Sequence, residues 1–579
     1  MKLHAKLVAT FALVAFSAAS ISAATITVTS TADDGSAGTL RTAIASAASG
    51  DVVAFDNALA GETFTLDSAR GPLEPAVSLS IIGPAAGVTL SGGNAIPLVC
   101  STNPVVSLTF RNLTFANAQG NQNDDPVIGP AVSIVGAADI ESCTFRDNVT
   151  NQGNLPEGEG GGTLRVVGNL RLVDCDFLNS GVATGARFSM GGVGHFSGAD
   201  ILVSGCSFVH SNQIRNNNDE TIRAGGAFSV GGACTNLLVE NTFFASNRIE
   251  NCQGAVAFRD DLPANGLMRF RSCIFRDHGL GKSIWRHGGL IGYETGNAQR
   301  FVFESCEFYN SIFAGYGGVV RITPGTSSAV FLNCTFAHCR GNEWGSVADA
   351  RCRTYFINCT VVGNVNAHAT TKGGTLFAIN HVRMLNTACV YNHVDNGAVA
   401  MDMYKYGGTL AAYNCYTRAP AGIFDPSDNV LDYVRQGTPG ETATPFFVEA
   451  FAEANSFSAN GNTVTFSQPV LVPVMSADPR NPATPRVVEP LPNNQGGVLD
   501  KMGWPVKANA DYSYVAYTKD AGATWIKLHS AMADDPTATL ITADSRGLAY
   551  PINRGTDLPM PPIGSATAKT KSGSLIVIH

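Results

Sequence analysis

The chain has 579 residues, of which 15% are charged, and a formal net charge of −8. That acidic balance argues against nucleic acid or an anionic membrane surface as partner. The length would make several ordinary domains, but internal repetition predicts one long solenoid followed by a tail.

Residues 1–24 read as a secretory signal peptide. Lys2 and Lys6 form the basic start, Leu7 to Ala19 the apolar run, and Ser22-Ala23-Ala24 a small-residue cleavage site. The run is shorter than the roughly 20 residues a spanning helix needs, and Thr10 and Ser17 break it. No later stretch could span a bilayer as a helix, so a secreted or cell-surface protein is expected.

Thr25 to Val28 is a first strand. Thr39 to Ser49 is predicted as a helix, capped by Thr39, with Leu40, Ala43, Ile44 and Ala47 on one face and Gly50 at its end. Asp51 to Phe55 returns to strand. A solenoid's first coil exposes an open core and unpaired edges, so it needs a lid. This helix is the natural lid. Short strands around Phe64, Val77 to Ile82 and Val88 to Leu90 start the coils.

One phrase then recurs: Ser-Cys-Thr-Phe ending at Phe145, Asp-Cys-Asp-Phe at Phe177, Gly-Cys-Ser-Phe at Phe208, Ser-Cys-Glu-Phe at Phe308. Its second position gives a register of Leu113, Cys143, Cys175, Cys206, Asn241, Cys273, Cys306, Cys334 and Cys359, with gaps of 30, 32, 31, 35, 32, 33, 28 and 25. A phrase repeating at such a period marks a repeat architecture. Apolar alternation such as Ile201, Val203, Cys206, Phe208 reads as strand, with a slip near the Cys. A polar group follows at Asn148, Asn179, Asn212, Asn247, Asn310 and Asn364, suited to turns. Gly pairs open most repeats, at 161–162, 191–192, 225–226, 288–289, 317–318 and 373–374, where the chain needs positive φ or close backbone approach. One repeat then holds a Gly-Gly turn, a strand, a variable loop, a second strand and an Asn turn. No repeat has a helix long enough for a βαβ crossover. A sandwich does not predict a one-position Cys ladder, and a propeller blade would be longer. The fold class expected is all-β: a parallel β-helix solenoid over 25–425, with an N-terminal capping helix and a small β-rich C-terminal module over 426–579.

Fourteen cysteines in an exported chain first suggest disulfides. The spacing points instead to a buried column of reduced thiols packing as small hydrophobes, with vertical disulfides as the alternative. No Cys-x-x-Cys pair supports zinc. Cys339 and Cys352 lie off the ladder and could pair.

Fragments of hydrolase motifs occur at Gly194-His195-Phe196 and Arg321-Ile322-Thr323. The best catalytic candidates are Asp260 and Asp261 beside Arg259, then Arg276 and Asp277 beside His278, then Arg286 with Lys282 and His287. They lie on consecutive coils, so their heads could meet on one face. Abstracting a proton next to a carboxylate requires that charge to be neutralised, which arginine or calcium would do. The plainer reading is a set of solvated turns, fanned into water. Beyond Asp425 the Cys ladder stops. Strands are expected at Thr463 to Phe466 and Val470 to Val474. The tail is too short for an autotransporter barrel.

Thr39 to Phe55 resembles the opening of secreted bacterial right-handed parallel β-helix proteins, the pectin-lyase-like superfamily. Gly225 to Phe228 and the Phe-x-x-Asn turns are similar to the repeats of chlamydial polymorphic outer-membrane proteins. Pro445 to Val448, Asp544 to Gly547 and Pro562 to Ala566 resemble the tail of choice-of-anchor β-helix proteins, although Pro562 and Thr567 stand where that tail is usually acidic. Thr518 to Trp525 resembles a sialidase Asp-box, a structural hairpin turn; the resemblance implies that Asp520 bonds main chain, Gly522 supplies the bend and Trp525 packs beneath. These resemblances imply the fold and leave activity open, because the fold hosts lyases, hydrolases, adhesins and stalks. The expected function is a non-catalytic surface or extracellular β-helix for adhesion or for binding a glycan or protein. The alternative is a polysaccharide lyase or glycoside hydrolase acting on an acidic polysaccharide. No cofactor is expected, save calcium if the chain is lyase-like. The partner expected is a polysaccharide or cell-surface ligand.

Overall fold

The computed structural model describes residues 23–121, 129–151, 161–182, 191–213, 225–250, 255–259, 261–281, 289–294, 296–313, 318–341, 344–366, 374–390, 392–394, 403–417, 435–436, 451–459, 462–473 and 503–544, with scattered positions from 547 to 561.

The chain opens with a cap. The strand Thr25–Val28 pairs in parallel with Val52–Phe55, and the helix Leu40–Ser46 lies between them in sequence. Thr39 caps the helix by accepting the Thr42 N–H, as such hydroxyls do. Leu40, Ala43 and Ile44 are buried with Val28, Val53 and Phe55, so the helix closes the first coil. It ends at Ser46, three residues before the expected Ser49. The reason is Asp51, whose carboxylate accepts the N–H groups of Ala48 and Ala24, both at 2.8 Å. Those bonds pull the chain into the next strand, and Gly50, at φ +94°, makes the turn there. Arg41 locks the cap with 2.9 and 2.7 Å bonds to Asp33 and further bonds to the Gly71 and Pro72 carbonyls.

Each coil then carries four strands rather than two. In one coil they are Val132–Ile134, Ala137–Glu141, Thr144–Arg146 and Val149–Asn151. Each pairs in parallel and in register with its copies one coil away. The result is four long sheets of 11, 14, 14 and 10 described strands, here called first to fourth in chain order within a coil. The longest connections run from the fourth sheet back to the first, just before the Gly pair. The third sheet adds Arg435–Gln436, past residue 425.

The slip near each Cys is a corner. Ser142, Asp174, Gly205, Asn241, Ser272, Ser305, Asn333 and Asn358 all hold φ between +50 and +65° and turn the second sheet into the third. Asn, Asp, Ser and Gly tolerate that backbone best. One step of the register therefore shifts. Asn241 is the corner, and Thr242 takes the ladder position. Its hydroxyl donates to Glu240 O at 2.8 Å, as the Cys175 thiol donates to Val173 O at 3.2 Å. Phe244, not Phe243, pairs with Phe208 and Phe275. The ladder continues through Thr387 and Cys415, whose side chains bond the carbonyl two residues back in the same way.

Below the thiols, Phe115, Phe145, Phe177, Phe208, Phe244, Phe275, Phe308 and Phe336 stack. Their ring centroids lie 4.5 to 5.1 Å apart and their planes within 11° of parallel.

The asparagines divide into two groups. Asn179 and Asn310 hold the left-handed corner between third and fourth sheets, at φ +48 and +43°. Asn148, Asn247 and Asn364 come one residue after that corner and are buried. Each accepts an N–H of the previous coil at 2.9 Å, from Ala118, Ser211 and Cys339. Each donates to that coil's Phe carbonyl, at 2.9 to 3.0 Å. Asn212 instead opens a strand. The described Gly pairs serve close approach: a Cβ on Gly162 would sit 2.0 Å from Gly192 O.

All thirteen described cysteines are buried and free, Cys339 and Cys352 included, so those two do not pair. In-register parallel neighbours lie about 4.8 Å apart, whereas a disulfide wants Cβ atoms about 3.8 Å apart. The stacked geometry therefore favours thiols.

The C-terminal region turns back on the solenoid. Phe451–Ala459 and Asn462–Pro473 form an antiparallel hairpin, so the two expected strands are one and pair with an earlier strand that sequence reading missed. A four-stranded antiparallel sheet follows, built from Val506–Ala508, Val515–Tyr517, Ile526–Lys527 and Thr539–Leu540. Val506, Val515, Tyr517 and Leu528 pack on Val330, Tyr355, Ile357, Leu385 and Tyr413, the outward side chains of the second sheet. The expected turn forms there: Asp520 accepts Thr524 N–H at 2.8 Å and Gly522 holds φ +89°. Trp525 is half-buried, with the Lys507 ammonium 4.6 Å from its ring centre.

Two predictions follow from the core. Phe275→Ala removes one ring from the stack and should cost about 3–5 kcal/mol in a denaturant melt; a loss under about 1 kcal/mol would place Phe275 outside the core. Burial also pushes the imidazoles of His195, His278 and His338 down to about 3, 4 and 4. They stay neutral in the fold, while the unfolded chain takes up protons near 6.5. Stability is then fully present above pH 6.5 and lost as pH falls toward 4, by about 1.4 kcal/mol per pH unit for each histidine. A denaturation midpoint that stays level from pH 7 to pH 4.5 would contradict this.

Candidate functional site

Strands of the first sheet are three residues long, so two side chains point inward and the middle one outward. Val132 and Ile134 enter the core; Ser133 faces out. Register then builds an outward row: Cys100, Ser133, Arg165, His195, Ser229, Ala257, Gly292, Arg321, Asp349 and, two coils further on, Tyr404. Two residues further on, at the corner to the second sheet, a second row carries Gly231, Arg259, Glu294, Thr323 and Arg351. The backbone bonds Gly231 N–H to Phe196 O, Arg259 N–H to Val230 O and Thr323 N–H to Tyr293 O hold that row in step.

This is an outward face with buried polar groups, which is costly unless they are paired. His195 Nδ1 lies 2.9 Å from the Ser229 hydroxyl. Burial, then the nearby Arg259 and Arg165, keep it neutral. Arg259 pairs with Asp261 at 2.9 Å and lies across Gly231, where a Cβ would sit 2.4 Å from its Cδ.

Five coils beyond His195 the charges are denser. Asp349, with no exposed side-chain surface, lies 3.3 Å from Arg321 Nε and 3.0 Å from Arg351 Nε. Arg321 also meets Glu294 at 3.3 Å. Burial pushes the Asp349 carboxyl above its ordinary value, although Arg321 and Arg351 pull the other way. Arg351 reaches the surface. Its guanidinium carbon lies 5.2 Å over the Trp344 ring, and Trp344 stacks with Tyr406 at 6.3 Å and 21°. Tyr406 is 56% exposed. The arrangement is an anchored cation beside an open aromatic face.

The sequence candidates are placed differently. Asp261 stands at the corner between first and second sheets, paired with Arg259 and accepting Gly232 N–H at 3.0 Å. Arg276 and Asp277 stand at the corner between third and fourth sheets; they pair with each other, and Asn310 donates to Asp277. His278 is in the interior. The described members are thus on two different corners of the coil and do not converge. Asp260 and Arg286, with Lys282 and His287, lie outside the described residues. Among the described residues no group of three or more His, Cys, Asp or Glu gathers as a metal site, and no helix is long and apolar enough to cross a membrane.

The two motif fragments, His195 and Arg321, do fall in one row. Aligning repeats on the Gly pairs rather than on the cysteines would have found it, because the row residue stands three positions after each pair, as in Leu164-Arg165-Val166 after 161–162 or Val320-Arg321-Ile322 after 317–318.

No protein-family model and no curated protein matches the chain. Among solved structures it is similar to a mannuronic-acid-specific polysaccharide family 6 lyase from human gut microbiota, at 11% identity and a TM-score of 0.34, over 67% of this chain and 87% of that one. It is also similar to a PL6 alginate lyase in complex with a trisaccharide, at 13% identity and a TM-score of 0.31, over 77% and 92%. At these identities the likeness concerns the fold alone.

Asp349→Ala should be strongly destabilising, by about 3–5 kcal/mol, because it leaves Arg321 buried without its central counter-charge. Arg351→Ala, whose side chain is 26% exposed, should cost much less. Equal, small losses in urea melts would mean that the ion pair is not buried in solution.

Proposed function

We propose that the protein is an exported, non-catalytic β-helix that binds an acidic polysaccharide through Trp344, Arg351 and Tyr406. The observation that carries this reading is the open Tyr406 ring, stacked with Trp344 and set beside the Arg351 guanidinium. Ring faces suit the apolar faces of sugars, and a planar guanidinium suits a carboxylate. Arg351 is held in place by Asp349, so little side-chain freedom is lost on binding.

The second reading is a polysaccharide lyase or hydrolase. It draws on neutral His195 between Arg165 and Arg259, a base beside cations that would neutralise a sugar carboxylate. At 4% exposure His195 does not reach a polymer, and its ring is engaged by Ser229. We therefore favour binding over cleavage.

Affinity electrophoresis in gels containing alginate, pectate or a neutral glucan tests both readings. Retardation is expected in the acidic gels only. Trp344→Ala, Arg351→Ala and Tyr406→Ala should each weaken it about tenfold, roughly 1.4 kcal/mol. Equal retardation in the neutral gel would overturn the acidic assignment. A depolymerising activity that His195→Gln abolishes with the melting temperature unchanged would overturn the non-catalytic one.

A further inference from the structure

The two coils that carry Trp344, Arg351 and Tyr406, and the coil between them, are also coils that the C-terminal module grips. Asp349 and Arg351 belong to the coil whose second-sheet strand is Arg353–Ile357. The next coil joins Leu376–Ala378 to Val382–Leu385, and the one after joins Met403–Lys405, next to Tyr406, to Leu410–Tyr413. On each of these second-sheet strands the outward side chains belong to the module's apolar contact: Tyr355 and Ile357, then Leu385, then Ala411 and Tyr413.

Polar bonds tie the same three coils together through the module. Asn386 accepts the Trp504 N–H at 2.9 Å and donates to the Trp504 carbonyl at 2.8 Å and to Asn358 Oδ1 at 3.0 Å. Asn414 donates to Asn386 Oδ1 at 2.9 Å. Arg383 donates to the Leu528 carbonyl at 3.0 Å and to the Tyr413 hydroxyl at 3.1 Å. The Tyr550 hydroxyl donates to Asn333 at 2.9 Å and accepts from Asn358 at 3.1 Å. The bonds to Trp504, Leu528 and Tyr550 join residues more than a hundred positions apart, while those among Asn358, Asn386 and Asn414 and between Arg383 and Tyr413 run between neighbouring coils. In a solenoid each coil otherwise touches only its neighbours, so end coils open most easily.

We infer that the C-terminal module is a clamp that holds these three coils in register and thereby sets the spacing of Trp344, Arg351 and Tyr406. The module touches the second sheet of those coils, beyond the corner that carries Arg351, and acts on the platform through the backbone. Its residues are positioning residues. The inference rests on the proposed binding reading for its functional consequence, but the clamp itself can be judged without a ligand.

The test uses the full chain with Leu528→Arg, which puts a charge into the contact, with Leu528→Met as the conservative control. Hydrogen exchange should show lost protection in Ala348–Ala350, Leu376–Ala378 and Met403–Lys405, and unchanged protection in Val132–Ile134 and Leu164–Val166. Retardation by alginate should fall at least fivefold in Leu528→Arg and be restored in Leu528→Met. Should Leu528→Arg fail to fold, Asn386→Gly, which tolerates the left-handed corner at φ +49° and removes the amide bonded to Trp504, should give the same pattern more weakly. Exchange that rises in the module but not in the three coils would overturn the clamp. So would full retardation with the module released. Protection lost as expected in a wild-type background that no acidic polysaccharide retards would sink the binding reading and leave the clamp standing.

Discussion

The structure depends on one constraint: each residue of a coil must stack on its counterpart in the next. Parallel pairing in register makes every position a column about 4.8 Å per step. A column works only if its members tolerate their own kind as neighbours. Phenylalanine does, as the near-parallel rings from Phe115 to Phe336 show. Thiols do, and so does a threonine at position 242 that makes the same short bond to its own backbone. The corners obey the rule too. A left-handed residue costs little where it is Asn, Asp, Ser or Gly, and two such corners in each coil bend three short strands around one core. The buried amides of Asn148, Asn247 and Asn364 then satisfy backbone groups that the second corner leaves free of sheet pairing, which an interior position demands.

The same constraint makes the outward row of the first sheet informative. Most columns are chemically uniform; this one is not. Arg165, His195, Ser229, Arg321, Asp349 and Tyr404 share it, and several are buried although they face away from the core. Buried ions persist where partners and geometry compensate their desolvation, and Asp349 has two arginines. Ala257 and Gly292 separate the neutral His195 end from the charged Arg321 end. The exposed part of the surface lies at the charged end, where Arg351, Trp344 and Tyr406 meet. Those coils are also covered on the second sheet by the C-terminal module, so the last part of the solenoid differs from the first in both its faces.

How much of this was legible depended on whether the signal was local. The cap helix could be read because Leu40, Ala43 and Ile44 recur at helical spacing beside a capping Thr39; its early end could not, because Asp51 reaches back to Ala24 from across a strand. The hairpin around Asp520 was legible, since Asp520, Gly522 and Thr524 are adjacent in sequence. The solenoid was legible from the cysteine period. Its register failed by one step at Asn241, because a phrase match on Phe243 looks as good as one on Phe244 until pairing with Phe208 selects between them. The charged candidates around Asp261 and Arg276 looked like one cluster because they are close in sequence. The corners of the coil send them to different sides.

The amino-acid sequence by itself determined the β-helix, its N-terminal cap, the thiol column and the turn chemistry, because each rests on a short period or an adjacent pair of residues. Only the tertiary structure decided which polar residues of the first-sheet row are buried and paired, that Arg351 lies over Trp344 while Trp344 stacks with Tyr406, and that the C-terminal module lies along the second sheet. Connections between the fourth and first sheets differ in length from coil to coil, so residues such as His195 and Arg321 fall in one row without a fixed spacing. The module's contacts, such as Asn386 with Trp504, join positions far apart in the chain, and burial of apolar side chains is non-directional. The cysteine period records neither.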